Sequence, residues 1–209
     1  MRELRGSVQN DRMHRPKKTM LGTFARNSYR EPVSGFLRYI GIINAALWFG
    51  GAIFFAAGIL PAIFWSRDMH DLFHEAAFQY YAGGVAMVLF KRFFMLQYFC
   101  GAVAILHLLA EKLYLGRALP RFGTTLVIVL LAFGLLGGLW LQPHMEGLRH
   151  TKYFGQTQQQ KEQAGHAFGI WHGLSEFANF VVLGGLLVHL VRVSRSAGPG
   201  RYGKHYDIP

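Results

Sequence analysis

The sequence predicts an all-α integral membrane protein: a four-helix bundle with an additional interfacial amphipathic helix between spans 1 and 2. Three observations predict it. Hydrophobic residues make up 52% of the 209 positions and charged residues only 16%, which excludes a disordered chain and disfavours a soluble domain. The apolar residues come in blocks, each near or above the ~20 helical residues that a bilayer core requires. Basic stretches flank the blocks, as topology signals and anchors to anionic lipid do.

Residues 1–35 form a polar, basic segment carrying Arg2, Arg5, Arg12, Arg15, Lys17, Lys18, Arg26 and Arg30, with too little apolar surface to order itself. The first span is 36–64. It is too long for a signal-peptide core and follows a long polar stretch, so it reads as a retained span rather than a cleaved leader. Pro61 should kink or end it, and Trp65 fits an interfacial belt. Residues 69–90 mix His70, Asp71, His74, Glu75 and Gln79 with Leu72, Phe73, Tyr80 and Tyr81. The apolar part, 76–90, is short for a crossing, and Lys91 and Arg92 follow at once. An interfacial helix leading into a second span at 93–115 is the expectation. A basic loop with Arg117, Pro120 and Arg121 precedes the third span, 122–141. A polar loop, 142–165, separates it from the fourth, 167–191, and a basic tail, 192–209, closes the chain.

The transmembrane domain is therefore 36–191. Lys and Arg crowd the N-terminal segment, the 116–121 loop and the tail, which places both termini in the cytoplasm of a cell with a bacterial cytoplasmic (inner) membrane. Lys91 and Arg92 fall on the outer side as exceptions that must snorkel. The formal net charge of +11 would suit nucleic acid, but its placement beside the spans points to lipid, and no nucleic-acid partner is expected. Cys100, the only cysteine, sits in an apolar run; it can form no intrachain disulfide and reads as a packing residue.

Four polar side chains interrupt the fourth span: His172, Ser175, Glu176 and Asn179. At about 100° per residue they share one helical face. Glu176 would lie near the middle of the bilayer, where an ionised carboxylate costs a few kcal/mol and must face protein or water. Asn44 on the first span reaches about the depth of Asn179, so an intramembrane cluster of Asn44, His172, Glu176 and Asn179 is expected. Such a cluster is either a hydrogen-bond network that fixes packing, or a proton relay, or part of a ligand pocket. Gly165, Gly169 and Gly173 repeat every fourth residue along the same helix, with Gly50 and Gly51 on the first span and Gly134, Gly137 and Gly138 on the third. Small residues at this spacing let helices approach closely, within one bundle or between subunits.

Histidines raise haem b as a cofactor, with His107, His172 and His189 as axial ligands. Ligands must face one another at matched depth, and by rise per residue none of these pairs matches well. His70 and His74, spaced i, i+4, could present two nitrogens to one metal, though no third ligand stands at a telling spacing.

Several motifs in order resemble the transmembrane-protein-205-like family: Leu47-Trp48-Phe49-Gly50-Gly51 with Phe54 and Pro61, Phe90-Lys91-Arg92-Phe93-Phe94, Gln142-Pro143 with Gly147-Leu148-Arg149, and His172-Gly173-Leu174-Ser175 with Asn179. The likeness covers roughly 36–191 and implies a four-span membrane domain of unestablished activity. Glu176, the interfacial histidines and the N-terminal segment fall outside that pattern. No nucleophile motif or phosphate loop points to an enzyme. The expectation is a non-catalytic accessory or assembly subunit of a larger membrane complex, partnered by the lipid bilayer, other membrane subunits and, in one version, further copies of itself. The alternatives are a proton or small-solute permeability protein using the His172–Glu176–Asn179 face, and a b-type haem membrane anchor.

Overall fold

The computed structural model describes residues 30–73, 78–116 and 118–195. Helix α1 (Arg30–Ile53) runs through a π-helical stretch, Phe54–Ile59, into α2 (Leu60–Trp65), and α3 (Arg67–Leu72) follows. Helix α4 (Phe78–Leu115) is unbroken. Helix α5 (Arg121–Leu136) continues through a second π stretch, Gly137–Leu141, into α6 (Gln142–Phe154), and α7 (Gln158–Arg195) is the last. Among the described residues, four helical rods are long and apolar enough to cross a membrane: Gly35–Trp65, Phe78–Tyr114, Arg121–Phe154 and Gln158–Arg195. The chain is an all-α, multi-pass membrane protein.

The rods form a ring in chain order. Helix α1 packs on α4, α4 on α5, α5 on α7, and α7 back on α1. Trp48, Ala52, Cys100, Ala104, Val127, Leu130 and Leu186 fill the centre. Meanwhile Ile43, Leu47, Met95, Phe99, Leu106, Ile128, Phe177 and Phe180 point outward. An apolar exterior of this extent suits acyl chains and not water. The arrangement is the up-down bundle that short connections favour; Gly116, at φ +63°, makes the tight turn between α4 and α5.

Both π stretches have the same local cause. Proline has no N–H, and its ring clashes with the carbonyl four residues back. For Pro61 that residue is Ala57, and for Pro143 it is Leu139; each lies inside a π stretch. The widened turn moves the carbonyl aside, and the following N–H groups reach one residue further: Leu60 N–H donates to Phe55 O, and Gln142 N–H to Gly137 O. The helices therefore carry on past their prolines, so Pro61 does not end the first rod.

Two expectations need correcting. The second rod is helical from Phe78, before the span expected at 93–115, and among the described residues of the connection before it the six-residue α3 stands where the interfacial helix is expected. Lys91 lies within this continuous helix, its Nζ 3.3 Å from Glu146 on α6. Residues 142–165 are not a loop; all but a short turn at 155–157 are helical. Their polarity marks helices that outrun the hydrocarbon, since a 38-residue helix is about 57 Å long against a core of ~30 Å.

Candidate functional site

Polar side chains inside this bundle fall into three groups. The first is a seam between α1 and the antiparallel α4, along which residue numbers rise on one helix as they fall on the other. His107 Nε2 lies 2.9 Å from the Leu37 carbonyl oxygen, and Gly41 leaves the space its ring occupies. One turn along, Asn44 Nδ2 donates to Cys100 O at 3.0 Å. Next, Trp48 Nε1 donates to Gln97 Oε1, with Trp48 only 1% exposed and Gln97 only 5%. Gly51 then admits Leu96, and Phe55 stacks on Phe93. Each amide in the seam has its partner, as buried polar groups in lipid must. His189 of α7 stands edge-on to Trp48, with ring centroids 6.1 Å apart.

The second group ties together the ends of the rods beyond the π stretches. Gln142 Nε2 donates to Met87 O at 3.1 Å, and Lys91 pairs with Glu146. Arg149 Nη1 donates to Tyr80 O at 3.1 Å, and its guanidinium lies 5.0 Å from the centre of the Tyr80 ring. Trp140, His144 and Trp171 stack together where α6 meets α7. The Lys91–Glu146 pair is partly exposed, so it should be worth no more than about 1 kcal/mol. Reversing one charge with Lys91→Glu should lower the melting temperature in detergent by a few degrees. The exchange Lys91→Glu with Glu146→Lys should restore it.

The third group faces outward. On α7, His172 Nε2 lies 3.2 Å from Glu176 Oε1, and the two side chains are 54% and 63% exposed. Ser175 Oγ donates to the His172 carbonyl at 2.7 Å. Asn179 is half-buried and makes no hydrogen bond among the described residues. Gly169 and Gly173 sit beside the pair, and a Cβ on either would meet nothing within 4 Å. Exposed Phe177 and Phe180 continue the same surface. Counted along the helix, Glu176 lies roughly 24 Å from Arg192, within a ~30 Å core and nearer its far side.

The sites expected from sequence are thus split. His172, Ser175 and Glu176 do come together. Asn44 does not join them: its amide donates to Cys100 O of α4, and where α1 meets α7 nearby it does so at His189, far along the helix from His172 and Glu176. Among the packing glycines, Gly51, Gly137 and Gly138 are in close contact with side chains of α4, Gly165 borders Lys152, and Gly50, Gly169 and Gly173 face open space. His107 and His189 are engaged as described. His70 stacks on Phe78 at 3.6 Å, and His74 lies outside the described residues. No group of three or more His, Cys, Asp or Glu side chains able to hold a metal occurs among the described residues. The sequence singles out Gln142 and Arg149 only as motif residues and passes over Gln97, although it is a lone amide within an apolar run.

One family model matches residues 43–153, that of a domain of unknown function, DUF4149. No curated protein and no solved structure matches the chain.

Proposed function

We propose that this chain, which belongs to the DUF4149 family, is a non-catalytic subunit that assembles with other proteins in the membrane. The observation that carries this reading is the His172–Glu176 pair on the outer face of α7. An ionised Glu at this depth costs a few kcal/mol against acyl chains, and among the described residues its partner is His172. A neighbouring protein would cover the pair. Bare Gly169 and Gly173 would let that neighbour's helix approach closely enough for van der Waals contact to hold it. The resemblance to the transmembrane-protein-205-like family implies a four-span domain of unestablished activity, which is compatible with this reading. The basic ends fit termini on the cytoplasmic side of a bacterial inner membrane.

The test is retention of partners when the full chain is extracted in mild detergent and weighed by light scattering or native mass spectrometry. Gly173→Leu should fill the notch and strip the partner, or the second copy, without changing helicity. Glu176→Gln keeps hydrogen-bonding capacity and should retain it. Wild-type protein that stays a lone chain under every mild extraction would count against the reading.

A second reading draws on the same pair. In an oligomer whose α7 helices face one another, His172 and Glu176 would line a polar path and relay protons. Glu176→Gln would then abolish pH-driven flux in vesicles while leaving assembly intact, whereas the subunit reading expects no flux to lose.

A further inference from the structure

We propose that the groove between α5 and α7, at the end where the described chain enters and leaves the bundle, binds an anionic phospholipid. Its phosphate would lie on Arg192 and Arg195, and one acyl chain along Leu187, Val188 and Val191. The groove measures about 730 Å³ and is lined by those five residues and Phe122. That volume is within the roughly 300–1,000 Å³ of small-molecule sites. Its floor and its mouth differ in chemistry. Leu187, Val188 and Val191 are partly exposed on the lipid-facing side of α7, so hydrocarbon is the natural filling. At the mouth the last turns of α7 bring up two guanidinium groups, at the level where hydrocarbon gives way to headgroups.

Arg192 is held in place. Its guanidinium carbon lies 5.2 Å from the centre of the Phe122 ring, and Gly123 leaves room for its stem: a Cβ there would come within 3.1 Å of Nε. Among the described residues no carboxylate pairs with Arg195. A ligand that is apolar along one side and anionic at one end, at this depth, is a negatively charged lipid. Basic pockets between helices at a membrane surface recognise such headgroups. Arginine suits phosphate through its planar fork of donors. This inference is independent of the subunit reading, since it concerns the opposite end of α7 from the His172–Glu176 pair.

The experiment is native mass spectrometry of the full chain in detergent, supplied with equal concentrations of phosphatidylglycerol or phosphatidylcholine of identical acyl chains. One phosphatidylglycerol should be retained about tenfold more strongly than phosphatidylcholine. Arg192→Gln with Arg195→Gln should reduce it to the phosphatidylcholine level. Val188→Trp leaves both charges in place but fills the groove, and it too should release the lipid. Val188 points outward, so this variant should fold with unchanged helicity even if the double variant does not. Equal retention of the two lipids by the wild-type chain would overturn the proposal, as would Val188→Trp protein that keeps phosphatidylglycerol. Displacement by inorganic phosphate alone would also overturn it, because the groove would then contribute nothing.

Discussion

Trp48→Ala should destabilise the bundle by about 3 kcal/mol, the largest effect expected of a single truncation. Removing a buried tryptophan from a soluble core costs about 3–5 kcal/mol, part of it transfer of apolar atoms back to water. In lipid that part falls away, because hydrocarbon tails are as apolar as the bundle interior. What remains is the lost packing against Ala52, Cys100 and Leu186 in the core, the ring contact with His189, and Gln97 left without its donor. The lower end of the soluble range is therefore the appropriate figure. Trp48→Phe keeps most of the contact area and should isolate the hydrogen-bond share, about 0.6–2 kcal/mol. Reversible unfolding in mixed micelles, followed by far-ultraviolet circular dichroism against detergent composition, measures both. Trp65→Ala, at a position 80% exposed, is the control and should change little. If Trp48→Ala unfolded where the wild type does, the α1–α4 seam would not be what joins those helices.

The rods were legible in the sequence because the bilayer imposes a length, and blocks of about 20 apolar residues satisfy it whatever packs beside them. The helices beyond the hydrocarbon were harder to see. A polar composition between 142 and 165 suits a loop and a solvated helix equally, and hydropathy alone cannot separate them. One local signal was available. Thr157 and Gln160 form a capping box: Thr157 Oγ1 accepts from Gln160 N–H at 3.2 Å, while Gln160 Oε1 accepts from Thr157 N–H at 3.4 Å. That pattern starts α7 nine residues before the apolar block begins. The bond from Gln142 to Met87 could not be foreseen, since it depends on which rods are neighbours.

The candidate site divides along the same line. His172, Ser175 and Glu176 were found together because i, i+3 and i+4 spacing is a property of one helix. Asn44 does not reach Asn179 because the two lie at different levels: Trp48, one turn beyond Asn44, stands beside His189, ten residues past Asn179 on the antiparallel α7. In a ring of four antiparallel rods, α1 touches both α4 and α7. Gln97 and the Cys100 carbonyl of α4 were the unrecognised competitors. The seam they form shows where the chain secures its own fold, and by contrast it sets apart His172 and Glu176, which the described bundle leaves exposed on α7.

Gly138→Ala should cost about 1–3 kcal/mol, the usual range for overpacking, and far more than the same change at its neighbours. A Cβ on Gly138 would run into the Tyr98 hydroxyl and come within 2.8 Å of Phe94 Cγ, close to the fixed root of that side chain. At Gly137 the obstacle is the far edge of the same ring, 2.8 Å away, which can swing aside at smaller cost. At Gly134 a Cβ would meet only Gln97 Cβ at 3.6 Å, ordinary contact, so Gly134→Ala should be near neutral. The order of stability is thus Gly134→Ala, then Gly137→Ala, then Gly138→Ala. Removing the obstruction gives the decisive comparison: Tyr98→Phe combined with Gly138→Ala should recover part of the loss, because the hydroxyl is the nearest atom. Measured in the same mixed micelles, a Gly138→Ala protein as stable as Gly134→Ala would mean that α5 does not approach α4 through this π stretch. Rescue by Tyr98→Phe would instead fix the two helices in contact at the level where Pro143 forces the turn to widen.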